Sequence, residues 1–105
     1  MDSIYKVLRQ NEWLKLKNSG EFQGSPDDLK DGYIHLSTKE QVEHVVEKYF
    51  KDEPVIYVAE FSPDSFDPSD LKWELSPSSK KVYPHLYNSF LNFEGVISHR
   101  VINNQ

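Results

Sequence analysis

"YIHLSTKEQVEHVVEKYF", residues 33–50, holds one strand and one helix with the punctuation that separates them. Tyr33 to Leu36 alternates polar and apolar side chains, the pattern of a strand with one buried face. Ser37 and Thr38 follow, and each has a partner at capping-box spacing, Glu40 for the first and Gln41 for the second. Behind them Val42, Val45, Val46, Tyr49 and Phe50 recur at i, i+3, i+4, i+7 and i+8, which predicts a helix burying one stripe. Such a helix needs a sheet to lie on, and the chain supplies strands on either side.

Upstream, "IYKVL" (residues 4–8) reads as a strand. "NEWLKLKNSG" (11–20) reads as a helix capped by Asn11 and ended by Gly20. In "GSPDDLKDG" (24–32) Ser25 is a cap, Pro26 takes the first helical position, and Asp27 and Asp28 face the helix's positive end, so a short helical turn is expected before Gly32. Downstream, "VIYVAEF" (55–61) is almost continuously apolar, as in a central strand covered on both faces. An acidic, proline-punctuated loop (62–70) leads to the strand "LKWEL" (71–75). A second loop, "SPSSKK" (76–81), leads to "VYPHLY" (82–87), where Pro84 lacks a donor and is expected at an edge, a bulge or a strand start. "GVISHRVI" (95–102) makes the last strand. Strands outnumber helices and the main helices lie in the first half, which gives an α+β fold with a split or strongly bent, mostly antiparallel sheet. No glycine-rich strand-to-helix turn appears, so a doubly wound nucleotide fold is not expected.

With 105 residues the chain is read as one domain, residues 1–105. Six tyrosines, six phenylalanines and two tryptophans provide the surface for a packed core. A net charge of -5 argues against general nucleic-acid binding and leaves small anions to be met by local basic groups. The absence of cysteine rules out disulfides and thiolate metal sites and fits a reducing compartment, so the cytoplasm is the expected location. The opening "MDSIYKVLRQ" lacks the features of a signal peptide, no apolar run reaches membrane-span length, and oligomeric state is unspecified.

Sorting three strands by alternation places Ile34 and Leu36 opposite Tyr33, His35 and Ser37. Leu71, Trp73 and Leu75 oppose Lys72, Glu74 and Ser76, and Val82, Pro84 and Leu86 oppose Tyr83, His85 and Tyr87. If the apolar faces all meet the core, the other faces collect histidines, tyrosines, a glutamate, a lysine and serines that could line a cleft. Ser37 or Thr38 would stand at a helix N-terminus suited to an anion. A solvated sheet face accounts for the same alternation. His35, His44, His85 and His99 show no metal-ligand spacing, and no Ser/His/Asp triad can be assigned without geometry. Lys80 and Lys81 read as solubilising loop residues.

At "GSPDDLKDGYIHLSTKEQV", "LKWE" and "YPHLY" the sequence resembles the domain of unknown function 952 family of small, mostly bacterial proteins, with blocks in the same order over nearly the whole chain. That family is similar in fold to ADP-ribosyltransferases and RNA 2'-phosphotransferases, which hold NAD or an ADP-ribose unit in a cleft between two small antiparallel sheets. The resemblance implies His35 and Glu74 as catalytic candidates. His35 would contact a ribose hydroxyl, and Glu74 would stabilise an oxocarbenium-like transition state. It implies Ser25, Asp28, Asp31, Ser37, His85 and Tyr87 as ligand-binding positions, with Tyr87 suited to stack on nicotinamide, and the strand alternation adds Tyr33 and Lys72. NAD enters as a substrate, with no cofactor established and no metal expected. Lys72 stands where the family commonly has arginine, and Asn88 where it often has glycine. Three readings follow: an NAD-cleaving or ADP-ribosyl-transferring site, a non-catalytic module for an anionic metabolite or protein partner, and an interaction protein in which His35 donates to a buried carbonyl or carboxylate.

Overall fold

Across residues 2–77 and 79–104, which the computed structural model describes, the chain runs β1 (Ile4–Arg9), α1 (Gln10–Ser19), β2 (Glu21–Phe22), α2 (Pro26–Asp31), β3 (Ile34–His35), α3 (Val42–Tyr49), β4 (Val55–Phe61), β5 (Leu71–Leu75), β6 (Val82–Leu86), β7 (Leu91–Asn92) and β8 (Val96–Asn103). The result is a mixed fold of several antiparallel sheets and few helices. Three sheets form, in the orders β1-β4-β8, β2-β7 and β3-β6-β5, and all their pairs are antiparallel. The expected split sheet and the main helices of the first half are therefore present. The two-residue strands β2 and β7 are too short to leave a periodic signal. Of the expected loop at 76–81, Ser78 lies outside the described residues.

β4 is the central strand that its apolar run predicted. Ala59 and Phe61 on one face belong to the larger core with Ile4, Leu8, Trp13, Leu16, Phe22, Ile34, Leu36, Leu86 and Leu91. Ile56 and Val58 on the other face pack with Val7, Val42 and Val46 beneath α3. Burying each large side chain of this kind stabilises the fold by roughly 1.5–3 kcal/mol. Val42, Val45, Val46 and Phe50 of the expected helical stripe pack in this second cluster, Phe50 from the C-cap position, whereas Tyr49 is exposed. No helix among the described residues is long and apolar enough to cross a membrane.

Three local expectations are corrected. Helix α1 begins before Asn11: its N-cap is Arg9, whose backbone N–H donates to Glu12 Oε1 at 2.9 Å and whose Nη1 donates to Glu12 Oε2 at 3.1 Å. A charged pair thus takes over the role given to a small polar side chain. Pro84 lies in β6, the middle strand of its sheet, and not at an edge. Its carbonyl accepts from Leu36 N–H at 3.0 Å. In a strand the N and O of one residue point to the same neighbour, so the missing donor faces β3 and the β3–β6 ladder stops at His35. Finally, the apolar face of β5 does not reach the core along its length. Leu71 packs against it, but Trp73 and Leu75 are 47% and 63% exposed, and Val82, opposite Leu75, is exposed as well.

Candidate functional site

Helix α2 is specified by its first residues. Ser25 is the N-cap, its Oγ accepting from Asp28 N–H at 3.2 Å while Asp28 Oδ2 accepts from Ser25 N–H at 2.9 Å, with Pro26 following the cap. Gly32 closes the helix at φ 86°, in the left-handed region. The cap turns Asp28 inward, where it is 2% exposed. There Oδ2 also accepts from Lys6 Nζ at 2.9 Å, and Oδ1 accepts from His35 N–H at 3.1 Å and lies 2.6 Å from His35 Nδ1. Lys6 Nζ further donates to the His35 carbonyl at 2.9 Å. Burial pushes the Asp28 carboxyl up, and the His35 hydrogen bond, the Lys6 charge and the Ser25 N–H together outweigh it, holding the carboxyl well below the usual carboxylate range.

Gly24 shapes this cap from behind. Its φ is 137°, and a Cβ there would sit 2.9 Å from Asp28 Cβ. Gly24→Ala is accordingly expected to lower stability by about 1–3 kcal/mol through backbone strain, with the larger amide shifts confined to residues around Asp28 and His35. A thermal melt and an amide spectrum unchanged from wild type would contradict that role.

His35 leads from this buried group to the surface. Its side chain is 38% exposed, and Nε2 lies 3.0 Å from Asp31 Oδ2. Across the ladder His35 pairs with His85, and their ring centroids are 5.6 Å apart. Tyr33 joins the two: it stacks on His85 at 4.1 Å and 19°, and stands 4.7 Å from His35 and 5.1 Å from Tyr87. Burial, together with Asp31, Glu74 and Asp28, pushes the Tyr33 phenol up. Glu74 Oε1 accepts from Tyr87 Oη at 2.5 Å and lies 2.8 Å from His85 Nδ1. Lys72 Nζ stands 5.0 Å over the Tyr87 ring. Asn88 adopts φ 52°, the conformation that glycine would supply there.

A cavity of about 510 Å³ opens beside this cluster, walled by β1, α2, β3, α3, β6 and the β5–β6 loop. That volume lies in the range of small-molecule sites. Of the ten residues named as site candidates, Ser25, Asp28, Asp31, Tyr33, His35, Ser37 and His85 line it. Lys72, Glu74 and Tyr87 do not: Glu74 meets His85, Tyr87 meets Glu74 and Tyr33, and Lys72 lies over Tyr87. Lys6 and Arg9 from β1, with His44, Lys48 and Phe50 from α3 and its end, are wall residues that the sequence did not place at the cleft. For Lys6 a signal existed. It alternates with Ile4 and Leu8, which puts a lysine on a strand's core face, where lysine is almost never found unpaired. Arg9 is engaged by Glu12 and Glu53. Among the described residues no group of three His, Asp or Glu side chains is placed to hold a metal ion.

The family model described as "Protein of unknown function (DUF952)" matches residues 7–99. Among solved structures, the X-ray crystal structure of protein CC0527 from Caulobacter crescentus is 35% identical, with 96% of this chain and 86% of that chain covered and a TM-score of 0.86. The solution NMR structure of CC0527 is likewise 35% identical, covers 98% of this chain and 86% of that one, and gives a TM-score of 0.81. No curated protein matches the sequence.

Proposed function

The chain belongs to the DUF952 family, a family described only as of unknown function, and from that premise we propose that it binds a small ligand of the nucleotide class, an ADP-ribosyl compound such as NAD, in the cavity beside His35 and His85. The observation that carries this reading is the pairing of two carboxylate-held histidines, with Tyr33 between them, in the wall of one cavity of about 510 Å³. A structural histidine needs one partner; two of them facing one opening with an aromatic ring give a planar surface and convergent hydrogen-bonding groups. The ligand class rests on analogy with ADP-ribosyltransferases and RNA 2'-phosphotransferases, whose ligand lies between two small antiparallel sheets. Here the cavity lies between β1 of one sheet and β3 and β6 of another.

Binding without turnover is the reading favoured over NAD cleavage. A carboxylate that stabilises an oxocarbenium-like centre must reach the reacting carbon, and Glu74 is held by His85 and Tyr87 and is not among the residues that line the cavity. Titrating NAD, ADP-ribose and AMP into ¹⁵N-labelled protein tests both parts. Saturable shifts centred on Tyr33, His35, Ser37 and His85 are expected, with the ligand recovered intact by mass spectrometry. Silence at millimolar ligand would remove the nucleotide reading, and release of nicotinamide would replace the binding module with an enzyme.

A further inference from the structure

His35 and His85 are opposite one another in the ladder, yet their rings are held differently. His35 has a carboxylate at each nitrogen, Asp28 at Nδ1 and Asp31 at Nε2. His85 has one, Glu74 at Nδ1, and nothing among the described residues hydrogen-bonds its Nε2. The oxygen that meets Nδ1, Glu74 Oε1, is the same one that accepts from the Tyr87 hydroxyl. The Tyr87 phenol is pushed up to about 12, first by that bond to Glu74 and then by burial and the Glu74 charge. The Glu74 carboxyl is correspondingly held down, first by Tyr87 and then by His85. At neutral pH Tyr87 is therefore the donor, and Glu74 is an ionised acceptor with no hydrogen to offer.

That leaves one arrangement for the neutral His85 ring. An acceptor-only oxygen at Nδ1 requires Nδ1 to carry the hydrogen, so Nε2 carries the lone pair. The Tyr33 ring stacked at 4.1 Å and the burial of His85 oppose a ring flip, which would put Cδ2 where Nδ1 stands and Cε1 where Nε2 stands. Because His85 lines the cavity, the lone pair is the polar feature it offers there.

We infer that Glu74 is a positioning residue that fixes His85 as the Nδ1–H tautomer, so that His85 Nε2 is a hydrogen-bond acceptor in the cavity wall and the ligand meets it with an O–H or N–H. A phosphate or carboxylate oxygen, itself an acceptor, is disfavoured at that point. The ligand half of this inference rests on the cavity being a binding site; the tautomer half does not. The arrangement also makes His85, and not Glu74, the group able to take a proton from a bound hydroxyl.

Long-range ¹H–¹⁵N correlation spectra of histidine side chains, recorded at mildly alkaline pH, read the tautomer directly. Wild-type His85 is expected to show a protonated Nδ1 and a lone-pair Nε2. Glu74→Ala is expected to give a mixture of tautomers at His85 with the His35 signals unchanged, while Tyr87→Phe, which keeps the Glu74 contact, retains the wild-type form. A wild-type His85 carrying its hydrogen on Nε2 overturns the inference without any variant, and so does a folded Glu74→Ala protein with an unaltered tautomer. For the ligand half, ADP-ribose is expected to shift Nε2 and inorganic phosphate to leave it in place. A shift produced equally by phosphate overturns that half. Absence of any ADP-ribose shift anywhere in the protein removes the nucleotide reading and leaves the tautomer result standing.

Discussion

Asp28→Ala is expected to lower the free energy of unfolding by about 3–5 kcal/mol, the range for removing one partner of a buried ion pair. Domains of this size have roughly 5–15 kcal/mol in total, so the variant loses a large share of its stability. The reason is what alanine leaves behind. Lys6 is 4% exposed and has its ammonium on Asp28 and on the His35 carbonyl; without the carboxylate a full charge stays buried with one neutral acceptor. The Ser25 N–H and the His35 N–H lose their acceptor at the same time. Lys6→Met in the same background removes the stranded charge and is expected to recover part of the loss, since an apolar side chain there continues the Ile4 and Leu8 face. Urea denaturation of the three proteins measures this. A loss under about 1 kcal/mol for Asp28→Ala would mean that the pair is not an organising element.

The same carboxylate gives the fold an acid limit with a definite sign. Its folded-state pKa is depressed below the ordinary value of 3.8. The stabilisation is therefore complete above about pH 5 and is lost progressively as pH falls below about 4. Asp28→Asn removes that titration, so its stability profile is expected to be lower than wild type at neutral pH and flatter on the acid side.

His35→Ala is expected to affect two measurements at once. Leaving Asp28 Oδ1 without its side-chain partner costs about 1–3 kcal/mol of stability. If His35 is also a ligand contact, affinity for ADP-ribose falls roughly 10- to 100-fold, the equivalent of about 1.5–3 kcal/mol for one hydrogen bond to a charged group. Asp31→Ala is the natural control, because its pair with His35 is half-exposed and such pairs contribute roughly 0–1 kcal/mol to stability. Calorimetric unfolding and ligand titration on both variants separate the readings. Lost stability with unchanged affinity would make His35 a strut between α2 and β3, which is the reading in which it donates to a buried carboxylate.

Much of this protein was legible in its residues, and the reasons are local. The strand and helix of residues 33–50, the Ser25–Pro26–Asp28 cap and the buried run 55–61 each declare themselves within a turn or a few alternating positions, because caps and periodicity are short-range properties of the backbone. Strand alternation put His35, Tyr33, Ser37 and His85 on polar faces, since one parity defines one face, and left open whether those faces meet solvent or a cavity. What alternation does not specify is how far a sheet extends over its core. Trp73, Leu75 and Val82 have the parity of core residues and remain exposed because the apolar layer beneath ends near Leu71 and Leu86. Likewise Glu74 has the parity of a cleft residue, yet its carboxylate is bonded to His85 and Tyr87 and does not line the cavity. Only tertiary structure joins Lys6 to Asp28, 22 residues apart, because an ion pair between β1 and α2 depends on where the two elements dock. Residue order set the longer elements and their faces; packing decided which of those faces meet and which charges they enclose, since burial and Coulombic pairing arise only once distant segments share one interior.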